Sequence, residues 1–471
     1  MNRKPAVAGS FYPASHTELS AQLDKLFENA LPKKVKNVGA IISPHAGYVF
    51  SGGVAATAFN QIDREKEYER VFIIASSHRA SFPGASVFCN GNFEMPYGKE
   101  SVDTQLGKFL CKEFPTLFSS NPHHHSKEHS IEVQLPFIKF TLKPTYKIVP
   151  ILLGDVSPEM CHSIAEKLKP YFNSENLFVI SSDFSHYPNY DNARAVDQAT
   201  MHAIVSNNPE TLIKVIEENQ SKGVEKLVTS LCGWSSVLVL HYLTEQDRFY
   251  SYHPLEYKNS GDNALYGEMD SVVGYWAIAI SRDSEVLHWI ARRAIEKAIT
   301  EENPIHSNEK DSANLKAHVV KELGVKEIPL SLTEECGVFV TLKKKGKLRG
   351  CIGYIQSNTP LYKEVANVAV LAACYDNRFN KVTPKELEEI EIEISVLSPM
   401  QLIKNIEEIE IGKHGILVQK GDKSGLFLPQ VGAETKWSRE QFLGHCARDK
   451  AGLGWDGWKD AQISIFTVAI I

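Results

Sequence analysis

Four side chains able to bind a metal or move a proton, His45, His78, His186 and Cys232, each stand at the edge of an apolar segment. Their contexts are Ile41-Ile42-Ser43-Pro44-His45-Ala46-Gly47-Tyr48, Val71-Phe72-Ile73-Ile74-Ala75-Ser76-Ser77-His78, Leu177-Phe178-Val179-Ile180-Ser181-Ser182-Asp183-Phe184-Ser185-His186 and Leu231-Cys232-Gly233-Trp234. Short buried strands that end in a polar or ligating residue are how an α/β protein assembles a site at the carboxyl edge of its sheet. The pattern therefore predicts both a layered fold and a metal-binding pocket. Twelve of the 17 histidines precede residue 281, which places such chemistry in the first half of the chain.

The elements that must carry these residues alternate. Val38–Ser43, Val71–Ser76, Tyr146–Leu153 and Leu177–Ser182 are short, nearly continuous apolar runs, as expected for strands covered on both faces. Helical patterns lie between them at Val102–Glu113, Pro158–Tyr171, Asp191–Ser206 and Pro209–Glu218, and Ser271–Ser281 reads as a closing strand. The result is an α/β layered sheet with flanking helices over residues 1–281. After a boundary near residue 282 the character changes. A helix over Glu285–Glu302 is followed by a polar stretch, Asn303–Ser312. Gly337–Leu342 and Leu348–Ile355 then flank the basic turn Lys343–Lys347 as a β-hairpin. Strand-like runs recur at Ile390–Leu397, Gly415–Gln419, Gly425–Pro429 and Ile463–Ile470, so residues 283–471 read as α+β with a mainly antiparallel sheet.

Composition narrows the function classes. A chain of 471 residues with 43% hydrophobic residues has ample material for two or three cores. A net charge of −6 gives no general attraction to nucleic acid or anionic membrane. Neither an 18-residue apolar run nor a leading apolar segment of signal-peptide length occurs, and cytoplasmic residence is expected. The eight cysteines form no Cys-x-x-Cys pair, which fits free thiols in a reducing compartment. There is no Walker-type phosphate loop and no Gly-x-Ser-x-Gly elbow.

Taken in order, Ala8-Gly9-Ser10-Phe11-Tyr12-Pro13, Pro44-His45-Ala46-Gly47-Tyr48 with Ser51-Gly52, Ser77-His78, Glu128-His129-Ser130-Ile131-Glu132, Ser182-Asp183-Phe184-Ser185-His186 and Leu231-Cys232-Gly233 make the first half resemble the Memo family. Leu348-Arg349-Gly350-Cys351-Ile352-Gly353, Asp376-Asn377-Arg378-Phe379, Gly425–Val431 and the tail Lys450–Trp458 make the second half resemble an AMMECR-type domain. The pair is similar to two components of the AmmeMemoRadiSam system, whose third component is a radical-SAM protein. The resemblance implies an extradiol-dioxygenase-like fold with His45, His78 and Cys232 at the metal-ligand positions. It also implies Asp183 and His186 in the same pocket, and a radical-SAM partner. The thiol replaces the carboxylate of a 2-His-1-carboxylate triad, which argues against simple dioxygenase activity.

Two imidazoles and a thiolate would accept one metal ion, with iron or copper favoured and zinc possible. The helical pattern Trp234–Gln246 puts Cys232 near a helix N-terminus, where the dipole favours a thiolate. Asp183 and His186 are spaced to act together, the carboxylate orienting an acid–base imidazole or simply capping a turn. His129 and Glu132 repeat that spacing, as a second acid–base pair or as a structural pair. For Arg349 and Cys351 an anion contact beside a reactive thiol stands against a strand glycine, Gly350, that lets backbones pack closely. Asp376 and Arg378 form a loop ion pair or contact substrate. Three functions follow as expectations. One is a metal-dependent redox or radical-linked enzyme acting on a small molecule or peptide. The others are a non-catalytic adaptor that docks a radical-SAM protein, and a zinc hydrolase using the same pocket.

Overall fold

A computed structural model describes residues 2–245, 247, 249–300, 309–323 and 328–471. The chain divides into two compact units, residues 1–282 and 283–471.

The first unit contains β1 (Val38–Ser43), β2 (Arg70–Ser76), β3 (Ala85–Val87), β4 (Phe93–Met95), β5 (Gly98–Glu100), β6 (Phe118–Ser119), β7 (Lys147–Leu153), β8 (Asn176–Ser181), β9 (Tyr250–Asn259) and β10 (Gly274–Arg282). Strands β4 and β5 pair with each other. The other eight form one mixed sheet in the order β6-β3-β7-β2-β8-β1-β10-β9. Its centre, β7-β2-β8-β1, is parallel, and β10 and β9 close one side antiparallel.

Side-chain alternation feeds two apolar layers, one on each face of the sheet. Val71, Ile73, Ala75, Leu177 and Val179 enter one layer; Phe72, Ile74, Phe178 and Ile180 enter the other. Phe72 and Phe178, opposite each other on neighbouring strands, stack at 4.5 Å. Burial on both faces is why these strands read as unbroken apolar runs. The crossover helices begin where the sequence provides caps: Ser157 before Pro158, and Asn208 before Pro209.

Some boundaries differ from the sequence reading. The closing strand starts at Gly274 rather than Ser271, because Val273 bridges to His186 and the Val272 carbonyl accepts from Tyr187 N–H. The run Pro158–Tyr171 changes at Leu168 into a 3₁₀ turn, Lys169–Tyr171, which contains Pro170. Strand β9 was not anticipated, since its partly exposed residues leave no apolar run. The helix before β9 spans Trp234–Thr244, and Gln246 lies outside the described residues.

The second unit opens with the helix Glu285–Thr300; Glu302 lies outside the described residues, as do residues 303–308 of the expected polar stretch. Its remaining part, Glu309–Ser312, begins an unanticipated helix, Glu309–Leu323. Strands β11 (Val338–Lys344), β12 (Lys347–Tyr354), β13 (Ile390–Leu397), β14 (Gln401–Leu402), β15 (Gly415–Lys420), β16 (Lys423–Phe427), β17 (Gln462–Phe466) and β18 (Val468–Ile470) build two antiparallel sheets. Their orders are β12-β11-β13-β18 and β14-β17-β15-β16. The β11–β12 turn is Lys345-Gly346, both at positive φ, as a tight two-residue hairpin requires. The single run expected over Ile463–Ile470 is divided between the two sheets. It breaks at Thr467, whose backbone bonds to Ser398 instead.

Among the described residues no helix is long and apolar enough to cross a membrane.

Candidate functional site

Strands β2, β8 and β1 are neighbours running in the same direction, so the segments after them emerge together at one carboxyl edge. They deliver His78, then Asp183 and His186, then His45. Cys232 arrives from the segment before the helix Trp234–Thr244. The candidate ligand atoms of His45, His78 and Cys232 all lie within 4.8 Å of one another. The rings of His45, His78 and His129 form a triangle with centroid separations of 4.9, 5.0 and 5.4 Å.

Hydrogen bonding fixes which nitrogen of His45 and His78 carries the proton. Ser181 Oγ donates to the Ser130 carbonyl at 2.6 Å and accepts from Gln134 Nε2 at 2.9 Å. Its remaining lone pair faces His45 Nδ1 at 2.9 Å, so Nδ1 carries the proton and donates. Nε2 is then the acceptor, 3.3 Å from Cys232 Sγ, whose thiol is its hydrogen-bond partner. Glu128 does the same for His78, accepting from its backbone N–H at 2.7 Å and from Nδ1 at 3.2 Å. The His129 and Ser130 N–H groups also donate to Glu128. Burial works against charge on Glu128, but these bonds hold its carboxyl well below the usual range.

A second grouping, His78, Glu128 and His129, also has ligand spacing. Oε1 of Glu128 takes three N–H donors and Oε2 takes the His78 backbone N–H, so the carboxylate is placed to orient His78.

Cys232 Sγ accepts the Asp183 N–H at 3.2 Å, and Gly233 caps the following helix. The expected thiolate-favouring helix terminus is present, yet it is outweighed. Burial, then the nearby Asp183 carboxyl, push the Cys232 thiol up. A bound cation would supply the opposing charge. Gly233 allows the turn to pack: a Cβ there would lie 2.6 Å from Ser182 Cβ and 2.9 Å from the Ser181 carbonyl oxygen. Gly233→Ala is expected to cost about 1–3 kcal/mol and to displace Cys232, readable as a lower unfolding temperature with faster thiol labelling.

Two expected pairings are corrected. Asp183 does not orient His186: its Oδ1 accepts the His45 N–H at 2.7 Å, tying the ends of β8 and β1 together. Burial raises its carboxyl to about 7. His186 instead bridges through its backbone to Thr229 and Val273, and its Nε2 is buried with no hydrogen-bond partner among the described residues. Burial lowers His186 and His129 to about 4, so both imidazoles are neutral near pH 7. Glu132 is not an acid–base partner of His129 either. Fully buried, it pairs with Arg3 and accepts from Ala6 N–H at 2.7 Å, Val7 N–H at 3.1 Å and Tyr12 Oη at 2.6 Å. That anchor holds the N-terminal segment in place, and Phe11 meets His129 edge-on at 5.0 Å.

Sequence reasoning overlooked Glu128, Ser181, Gln134 and Asp197. Asp197 holds the segment before His186, accepting from Ser185 N–H at 2.8 Å, Ser185 Oγ at 3.0 Å and Tyr257 Oη at 2.8 Å. The signal for Glu128 was its adjacency to His129; the other three carried none.

In the second unit Arg349 bonds to Glu386 through two hydrogen bonds of 3.2 Å, while its Nη1 is buried with no hydrogen bond among the described residues, so both readings of Arg349 stay open. Cys351 Sγ accepts from Thr341 Oγ1 at 3.2 Å. Asp376 accepts the Cys351 N–H and Arg378 donates to the Cys351 carbonyl, so the Asp376–Arg378 ion pair caps the open edge of β12. Gly350 has no room for a Cβ against the Ala372 carbonyl.

A mixed sheet with a histidine–cysteine cluster at the carboxyl edge of its parallel centre defines the first unit, and comparison with known proteins gives it a family. The model of the Memo-like protein family matches residues 3–279, and the chain belongs to the Memo family. The AMMECR1 family model matches residues 288–471, making the second unit an AMMECR1 domain. A MEMO1 family protein of Thermoplasma volcanium is 31% identical over 60% of this chain and 99% of its own length. One from Nitrosopumilus maritimus is 31% identical over 59% of this chain and 99% of its own. The crystal structure of an uncharacterized protein from Pyrococcus horikoshii, 34% identical, covers 40% of this chain and 90% of its own, with a TM-score of 0.33.

Proposed function

We propose that the first unit binds one transition-metal ion through His45 Nε2, His78 Nε2 and Cys232 Sγ and works as a redox or radical-linked enzyme. One observation carries the reading: three candidate ligand atoms within 4.8 Å of one another, with both imidazoles held by Nδ1 so that Nε2 carries the lone pair. Metal–nitrogen and metal–sulfur bonds run about 2.0–2.3 Å, so tetrahedral donors on one ion stand about 3.3–3.6 Å apart, a spacing the three side chains would reach by closing in on the ion. Iron or copper suits the mixed nitrogen–sulfur set, and zinc is the third candidate. When bound, the ion would supply electron transfer and polarisation of a substrate oxygen.

The protein's own groups would do the rest. Asp183 holds the His45 backbone, and Glu128 and Ser181 fix the two ligand rings. His186, with its unpartnered Nε2, is the group left to take or give a proton beside the ion. Asp183 is thereby a positioning residue. The AMMECR1 domain would contribute substrate or partner binding, in a cytoplasmic system that includes a radical-SAM protein and acts on a small molecule or peptide.

The test is metal stoichiometry. Chelator-stripped full-length protein, titrated anaerobically with Fe(II), Cu(I) and Zn(II) and then desalted, is expected to retain about one equivalent of at least one metal. His78→Ala should retain none. A folded wild-type chain that ignores all three metals sinks the proposal.

A further inference from the structure

Outside the histidine cluster, the first unit holds a second pair of reactive groups. Cys89, just past β3, and Cys111, in the helix Thr104–Glu113, are free thiols, and the Cys89 side chain packs against Gly107 of that helix, one turn before Cys111. Gly107 explains their approach. A glycine inside a helix is unfavourable relative to alanine, so its presence needs a reason. Here a Cβ would lie 2.6 Å from Cys89 Cβ and 3.2 Å from Val87 Cγ1. Cys111, four residues further on, shares that helix face and meets the same crevice. Cys89 is buried and Cys111 is partly exposed, which leaves an opening for a small oxidant.

We propose that Cys89 and Cys111 are a peroxide-responsive dithiol that closes to an intramolecular disulfide. In the first step a thiolate attacks one peroxide oxygen. The O–O bond breaks, an S–O bond forms, and the departing oxygen takes up protons to leave as water. In the second step the other sulfur attacks the sulfenic sulfur; the S–S bond forms as the S–O bond breaks, and a second water leaves. Two thiols and one peroxide become one disulfide and two waters. The sulfurs lose two electrons and the peroxide gains them.

The electrostatics agree. The neighbouring Cys111 thiol, with Ser120 and the charge of Lys108, pulls the Cys89 thiol down to about 7 against its burial, while Cys111 is pushed up. Cys161 and Cys446, raised by burial to about 12, provide unreactive comparisons in the same chain.

The experiment uses folded, full-length protein with a chelator present, given a short hydrogen peroxide pulse, alkylated under denaturing conditions and digested with trypsin without reduction. The peptides Ala80–Lys99 and Phe109–Lys112 are expected to appear cross-linked, at least about 10-fold faster than Cys161 or Cys446 is lost, and to separate on reduction. Cys111→Ser should instead leave Cys89 as a sulfenic acid trapped by dimedone. Gly107→Ala, which keeps both sulfurs, should slow cross-linking about 10-fold or more. The proposal is overturned if Cys89 and Cys111 are alkylated as free thiols while other cysteines oxidise. It is equally overturned if each passes to sulfinic acid without forming the bond.

Discussion

Glu132→Ala is expected to destabilise the first unit by about 3–5 kcal/mol, the cost of leaving one member of a buried ion pair without its partner. Arg3 and Glu132 are both almost fully removed from solvent. Glu132 also receives two backbone N–H groups and the Tyr12 hydroxyl, so deletion strands four donors at once. Arg3 would keep its bonds to the His125 and Glu128 carbonyls but lose the only opposite charge it pairs with among the described residues. The expected reading is a fall in unfolding temperature on the order of 10 °C, with earlier proteolysis of the N-terminal segment. Glu132→Gln should fall between, because the amide keeps one acceptor oxygen. The double variant Arg3→Met/Glu132→Leu separates the causes. If charge burial dominates, it should recover much of the loss, since apolar replacement of a buried pair is often neutral. A double variant no better than Glu132→Ala would assign the loss to the backbone and Tyr12 contacts instead.

This residue also shows where sequence reading stops. Glu132 and Glu128 stand in one short motif beside the same histidine, and their spacing from His129 favoured Glu132 as the site carboxylate. The chain turns through the 3₁₀ segment Glu132–Gln134 there, which aims Glu132 at Arg3 and Glu128 at His78. No local pattern encodes that, because Arg3 is more than 120 residues away in sequence. The strands were legible for the opposite reason. Burial on both faces makes β1, β2, β7 and β8 apolar throughout, and short-range composition reports it directly. Strand β9 lay hidden because it is only partly covered. Ser181 was legible only as a strand end, although it sets the tautomer of His45, since that depends on Gln134 and Ser130 arriving from elsewhere. Tyr187, at φ 75°, is a bulky residue held in the left-handed region beside His186 by its bond to the Val272 carbonyl, a strain no sequence pattern announces.

Glu128→Gln is expected to weaken metal binding about 10–100-fold, the range seen when a partner that orients a ligand histidine is altered. That corresponds to roughly 1.4–2.7 kcal/mol. The wild-type carboxylate accepts from His78 at two points, which both places the ring and keeps its proton on Nδ1. A glutamine has one acceptor oxygen and an NH₂ group that must face one of those donors. The imidazole then gains freedom to turn, or to carry its proton on Nε2, where it no longer offers a lone pair. Ser181→Ala should act in the same direction through His45, by removing the acceptor 2.9 Å from Nδ1. Because Glu128 also accepts from the His129 and Ser130 backbones, fold stability must be measured beside affinity. Unfolding of the stripped protein gives the structural cost. The further rise on adding metal follows the logarithm of metal concentration over Kd, about 2.7 kcal/mol at 100-fold saturation. A smaller metal-induced rise in Glu128→Gln than in wild type, over and above any loss in the stripped protein, assigns the effect to the ligand ring. An equal rise in both would mean that Glu128 serves the loop alone, and that His78 needs no carboxylate to present Nε2.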